Sequence, residues 1–243
     1  MQSFEEHFVL KICGQHIPAR IIRERRRSVR ASIGKDAAYL RLPLLMPMEM
    51  QQQQISWFKA WLEKQALKHP DVLARFTAKT YADGDTLTVG KRNYTLQIAY
   101  SDKLSSSGRL TDGVIYLRLS QENTNATTIP TLLSRVVAQD FLPEITDRVQ
   151  ELNERFFRQA VRSVKLKYNH SNWGSCSGHG NLNFSTRLLF APDVVRDYVI
   201  IHELAHLIEP NHSDRFWKLV ADAMPDYSRQ EQWLREQAHW CRF

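Results

Sequence analysis

Apolar and polar positions alternate through the first part of the chain, so residues 8–46 are expected to be short strands. Turns fall near Gly14-Gln15 and Gly34-Lys35-Asp36, and the run closes on the alternation Tyr39, Leu40, Arg41, Leu42. From Met48 to Lys68 the period lengthens to that of a helix, with Ile55, Phe58 and Leu62 on one stripe and Trp57 and Trp61 on a second stripe expected in the core. Pro70 ends that element. Asp83-Gly84-Asp85 and Gly90-Lys91 then punctuate two strands, 86–89 and 93–99, as a hairpin. Ser105-Ser106-Ser107-Gly108 reads as a turn or mobile loop, and 114–119 as a further strand.

The polar stretch Asn123–Thr128 is the best boundary on the chain, dividing a β-rich region with one helix, 1–126, from a second domain, 127–243. Past it the spacing turns helical, through Leu132, Leu133, Val136, Val137, Ile145, Val149, Leu152 and Phe156, with Pro143 expected to kink or split the element. Residues 164–167, 172–176 and 181–185 make a small sheet, its last two strands joined by a tight turn at Gly178-His179-Gly180. The fold class expected is therefore α+β.

Val194–Ile201 is apolar at six of eight positions, which marks a mostly buried helix, and Pro192 suits its first turn. The helix runs on through His202-Glu203-Leu204-Ala205-His206, and is expected to break just after Glu209 because Pro210 cannot continue it. Residues four apart share a helical face, so the two imidazoles converge. Burying them with a carboxylate is costly unless a divalent cation compensates, and zinc is the default ion for nitrogen ligands, with manganese or nickel as other occupants. A tetrahedral catalytic site needs a third protein donor. His212 is the candidate, swung back by the turn at Pro210-Asn211, and Glu209 is its rival. The histidine spacing equals that of the metzincin motif, but Glu209 stands where that motif has glycine. Glu203, beside the first histidine, has the position of a general base.

Other chemistry-bearing residues have plainer readings. Cys176 is expected to be a small core residue, His170 and His179 to face solvent, and Tyr227 to pack after a turn although it could donate to an oxyanion. Downstream, Ser213 or Asn211 can cap one helix that stops at Pro225; Ser228 and Glu231 form a capping box for another, carrying Trp233, Leu234 and Ala238.

Composition narrows the setting. The 43% hydrophobic and 24% charged residues of this 243-residue chain describe a globular protein. Met1-Gln2-Ser3-Phe4-Glu5-Glu6 is no secretory signal, no apolar run approaches membrane-spanning length, and three widely spaced cysteines suit a reducing compartment, so a cytoplasmic location is expected. The net charge of +7 favours anionic partners. Arginines at 20, 23, 25, 26, 27 and 30 read as a solvated strand face; a phosphate or nucleic-acid patch is the sharper alternative, without the interleaved aromatics that grip single strands.

His202-Glu203-Leu204-Ala205-His206 with Asn211-His212-Ser213 and Phe216-Trp217, preceded by Asn172-Trp173-Gly174-Ser175-Cys176-Ser177 and Asn181-Leu182-Asn183, resembles the YgjP-like family of zinc metallopeptidases, zincin relatives of the SprT and WLM domains. Arg26-Arg27-Ser28 and Tyr81, Asp83 and Gly84 also resemble its amino-terminal signposts. Asn172 departs from the family's arginine before the tryptophan, so no substrate contact by that arginine carries over. The resemblance implies a zincin-like domain of helices around a small antiparallel sheet, His202, His206 and His212 as zinc ligands, Glu203 as catalytic acid/base, and a peptide or protein substrate meeting a strand that borders the cleft. Two rivals stand beside it: a metal-dependent nucleotide phosphoanhydride hydrolase whose phosphates the arginine-rich strand holds, and a nucleic-acid-associated protein with a structural metal.

Overall fold

The computed structural model describes residues 4–13, 15–34, 37–68, 76, 79–237 and 240–243. The turn residues expected at Gly14, Lys35 and Asp36, the helix stop at Pro70 and the helix position of Ala238 lie outside them. The chain forms two compact units, Met1–Lys79 and Thr80–Phe243. The polar stretch at 123–128, where the sequence suggests a boundary, is thus a connection inside the second unit.

In the first unit, strands β1 (Phe4–Ile12), β2 (Gln15–Glu24), β3 (Arg30–Ile33) and β4 (Ala38–Pro43) form a sheet in the order β1-β2-β4-β3. Helix α1 (Met48–Lys68) contributes Phe58, Leu62 and Ala66 to a core with Ile12, Ile17, Leu40 and Leu42. Trp57 is not in that core: it is 46% exposed and stacks on Trp61 at 6.5 Å, because the buried stripe runs through 58, 62 and 66. Three of the six arginines of the stretch 20–30, and Arg41 besides, are balanced within their own unit. Arg20 pairs with Glu5, Arg23 with Glu6, and Arg26 and Arg41 both with Glu24.

The second unit opens with β5 (Thr86–Val89), β6 (Arg92–Ser101), β7 (Ser107–Thr111) and β8 (Val114–Ser120), ordered β5-β6-β8-β7. The expected loop at 105–108 instead runs into β7, which is tied to β8 by a turn at Asp112-Gly113 with φ of 48° and 76°. Aspartate tolerates that left-handed geometry and glycine adopts it without a Cβ clash.

Helix α2 (Thr128–Leu152) lays Leu133, Val137, Phe141 and Val149 against this sheet's Leu96, Ile115 and Leu119 in one core. It passes Pro143 unbroken. Pro143 is exposed, so the carbonyl it leaves unbonded can turn to water while Phe141 and Ile145 hold the buried side. Strands β9 (Ser163–Lys167), β10 (Gly174–Cys176) and β11 (Asn181–Ser185) make a sheet ordered β10-β11-β9. It is mixed: β10 runs antiparallel to β11 and β9 parallel to it.

Helix α3 (Asp193–Ala205) is buried on nearly every side, Arg196 and Glu203 included. Arg148 of α2 grips Asp197 through Nε and Nη2 at 2.8 and 2.6 Å, a bidentate pair that fixes α3 to α2. Helices α4 (Asp214–Ala223) and α5 (Tyr227–Gln237) pack on α3. Because α5 starts at Tyr227, Ser228 lies inside its first turn and forms no capping box. Among the described residues no helix is long and apolar enough to cross a membrane. The architecture is α+β, with a β-rich amino-terminal unit.

Candidate metal centre

The site begins with how α3 ends. Its last helical residue is Ala205, four residues before the expected break, and the chain turns through His206, Leu207 and Ile208. His202 and His206 still share the face their spacing predicts, with rings 5.0 Å apart.

His212 enters from the loop after Pro210-Asn211, where Ser213 N–H bonds the Asn211 carbonyl at 2.8 Å. Ser213 caps α4 by accepting from Phe216 N–H. The capped turn therefore sets both the loop histidine and the first buried ring of α4. Phe216, fully buried, lies within 4.5–4.9 Å of all three imidazoles, ring centre to ring centre. Trp217 flanks His202 and His212.

His202, His206 and His212 can each aim one nitrogen into a cluster whose atoms lie within 4.8 Å of one another. The Nε2 atoms of His202 and His212 are 3.1 Å apart. Two nitrogens bound tetrahedrally at about 2.0–2.1 Å stand roughly 3.3 Å apart, so this spacing fits an ion between them. His206 Nδ1 lies 3.1 Å from the Glu209 carbonyl, which can only accept, so its proton is on Nδ1 and the Nε2 lone pair is available. Burial, then the neighbouring imidazoles, lowers His202 to about 4, and burial also lowers His206. Both are neutral near pH 7, as metal ligation requires. The donor set thus suits zinc or another nitrogen-preferring divalent ion. Glu209, the rival third donor, stands outside the cluster, with its carboxylate 4.0 Å from Arg215.

Glu203 points elsewhere. It is 5% exposed, and burial raises its carboxyl to about 8. It lies on the backbone of β10: a Cβ added to Gly174 would come within 2.5 Å of its Oε1 and 2.6 Å of its Cγ. Gly174 is therefore the residue that lets the carboxyl approach this strand. The approach is held from the strand side, where Ser185 N–H bonds the Trp173 carbonyl and Asn172 Nδ2 donates to the Gly174 carbonyl. Cys176 is half-buried rather than core, and burial together with the Glu203 charge pushes its thiol up to about 11.

Among the other candidates, His170 and His179 are exposed as expected. Tyr227 packs, stacked between Tyr198 and Trp217 at 6.2 and 5.4 Å. Sequence reasoning did not single out the site roles of Gly174 and Phe216. Gly174 meets Glu203 across 29 positions, a contact with no local signature, while Phe216 could have been found from its place at the third position after the Ser213 cap.

The geometry has counterparts among known proteins. A family model described as YgjP-like, metallopeptidase domain, matches residues 27–237. No curated protein matches the chain. Among solved structures, the chain is similar to the metallopeptidase zymogen abylysin of Pyrococcus abyssi, at 22% identity over 38% of this chain and 95% of that one, with a TM-score of 0.36. It is also similar to the metallopeptidase zymogen jannalysin of Methanocaldococcus jannaschii, at 18% identity over 39% and 96%, with a TM-score of 0.35. With residues 27–237 of 243 matched, the chain belongs to the YgjP-like family of metallopeptidase domains and is a metallohydrolase.

Proposed function

We propose that the protein hydrolyses peptide bonds with a zinc ion held by His202, His206 and His212, and that Glu203 is its general acid/base. What supports the reading is the convergence of three nitrogen donors, two of them on the helix that also carries the buried Glu203 carboxyl, which no structural ion pair occupies among the described residues. Zinc bound there would supply Lewis acidity and bring the pKa of a coordinated water toward neutrality.

The chain's own groups supply the rest. His206, oriented by the Glu209 carbonyl, and His202, kept neutral by burial, hold their lone pairs ready. Glu203 takes the proton from the attacking water and returns it to the leaving amine. Desolvation makes its carboxyl a better base than an exposed glutamate, and a cation held by the three histidines would offset that shift and favour the ionised form. The carboxyl's seat on Gly174 aligns it with β10, an edge strand that, apart from the Gly174 carbonyl held by Asn172, offers its outer backbone groups to an extended substrate.

The nucleotide reading gains no comparable support, because three of the six arginines meant to hold phosphate, Arg20, Arg23 and Arg26, are paired with Glu5, Glu6 and Glu24. The test compares wild type, Glu203→Gln and His202→Ala on an unstructured casein substrate and on nucleoside triphosphates, with zinc measured in each. Glu203→Gln should keep zinc and lose about 10²–10⁴-fold in peptide hydrolysis, the usual worth of a positioned acid/base. His202→Ala should lose zinc. Unchanged proteolysis in Glu203→Gln, or Glu203-dependent phosphate release without proteolysis, would reject the assignment.

A further inference from the structure

The sheet that meets Glu203 at Gly174 has two edges. β10 is one; β9, at the far edge, pairs among the described residues only with β11. Alternate residues of an edge strand turn their N–H and C=O groups outward, and among the described residues none of those of β9 is bonded to another strand; at the strand's end the Lys167 carbonyl accepts from Asn169 N–H at 2.9 Å. Beside this edge runs an open groove of about 470 Å³, lined on one side by the consecutive residues Lys165, Leu166, Lys167 and Tyr168. Its other side is one face of α2, carrying Arg135, Ala138 and Leu142.

The floor is apolar and the rim is cationic. Lys165, Lys167 and Arg135 are exposed, no carboxylate lines the groove, and none of the three has an ion-pair partner among the described residues. That separates them from Arg20, Arg23, Arg26 and Arg41 of the first unit, which already have glutamates. Lys165 and Lys167 are two apart on a strand, so they project to the same side at the repeat of a paired strand's side chains, about 6.6–6.8 Å.

We propose that β9 is a docking edge for an extended peptide segment of a partner protein, with acidic side chains at alternate positions opposite Lys165 and Lys167. The intervening side chains are apolar and lie over Ala138 and Leu142. Main-chain pairing to the edge supplies the affinity and the lysines set register and charge preference. A nucleic acid satisfies the cations but not the outward amides and carbonyls or the apolar floor. The site is independent of the metal chemistry, being on the opposite edge of the sheet from β10.

The test uses the full chain carrying Glu203→Gln, so that bound peptide is not consumed, and fluorescence anisotropy with a labelled peptide of alternating glutamate and valine, about eight residues long. The peptide should bind, weaken steeply with salt, and fall at least about 10-fold with Lys165→Glu/Lys167→Glu. Lys165→Gln/Lys167→Gln should fall less, and Arg25→Glu/Arg27→Glu, in the other unit, should bind as before. Circular dichroism confirms that each variant is folded; should the charge reversal unfold the chain, the glutamine pair carries the test. Methylating the peptide nitrogens on the pairing side should abolish binding. The proposal is overturned by any of three results: no binding, equal binding by the methylated peptide or by the lysine variants, or equal competition by oligo-dT of the same charge.

Discussion

On one flank of α3, His202 and His206 face Phe216 and Trp217 of α4; on the other, Glu203 lies on the backbone of β10 at Gly174. Both flanks are desolvated, and the same cause acts in opposite directions: it lowers the imidazoles and raises the carboxyl. Before any cation binds, both flanks are therefore pushed toward their neutral forms. The flanks differ in what holds them. The imidazoles are packed by rings, whose removal leaves a cavity, whereas the carboxyl is positioned by the absence of a side chain.

The largest effect is expected on the ring-packed flank. Phe216 is fully buried against all three histidines, so Phe216→Ala should cost about 3–5 kcal/mol in chemical denaturation, as large core truncations do. The same variant should bind zinc more weakly, because His212 loses the surface it leans on. A variant with unaltered zinc affinity would show that the capped turn at Ser213 positions His212 without help from the ring.

A smaller effect, but one that divides the two flanks, is the pH dependence of stability in chelator-treated protein. Glu203 has a folded value of about 8 against about 4.5 unfolded, so its contribution is full at low pH and is lost as pH rises toward 8. His202, about 4 folded against about 6.5 unfolded, contributes in full above 6.5 and loses its contribution as pH falls toward 4. Between about 4.5 and 6.5 the two slopes oppose each other; above 6.5 only the carboxyl acts. Metal-free wild type should lose up to about 2 kcal/mol between pH of about 6.5 and 8, and Glu203→Gln should not. Parallel curves for the two proteins across that window would mean that Glu203 is ionised in the folded metal-free state.

The flanks also differ in how legible they were. The helical period of 194–206 and the histidine spacing identified α3 and its paired imidazoles, since both are local properties of one helix. The break at Pro210 suggested that His212 could return, although the last helical residue is Ala205 and the next turn is tightened by bonds from Leu207 N–H to the Leu204 carbonyl and from Ile208 N–H to the Ala205 carbonyl. Strand β7 was hidden by the polarity of Ser107 and Arg109, yet the Asp112-Gly113 pair that closes its hairpin is a standard turn signal. Gly174 was quoted only as part of a motif; its contact with Glu203 belongs to tertiary structure, and a single sequence carries no periodicity that reveals it.

That contact gives the smallest effect on folding and the sharpest on position. In Gly174→Ala the new methyl would meet Oε1, Cδ and Cγ of Glu203 at 2.5–2.8 Å, all atoms of a side chain that can swing away, so the fold should survive at a cost of about 1–3 kcal/mol. The carboxyl is displaced, and peptide hydrolysis should fall through kcat with zinc content unchanged. A double-mutant cycle separates this from general disturbance of β10. In a Glu203→Ala background the atoms that the methyl strikes are gone, so adding Gly174→Ala should cost little further stability, and the coupling should approach the whole single-variant cost. Additive costs would place the strain in the strand itself and leave the carboxyl's seat unexplained by Gly174.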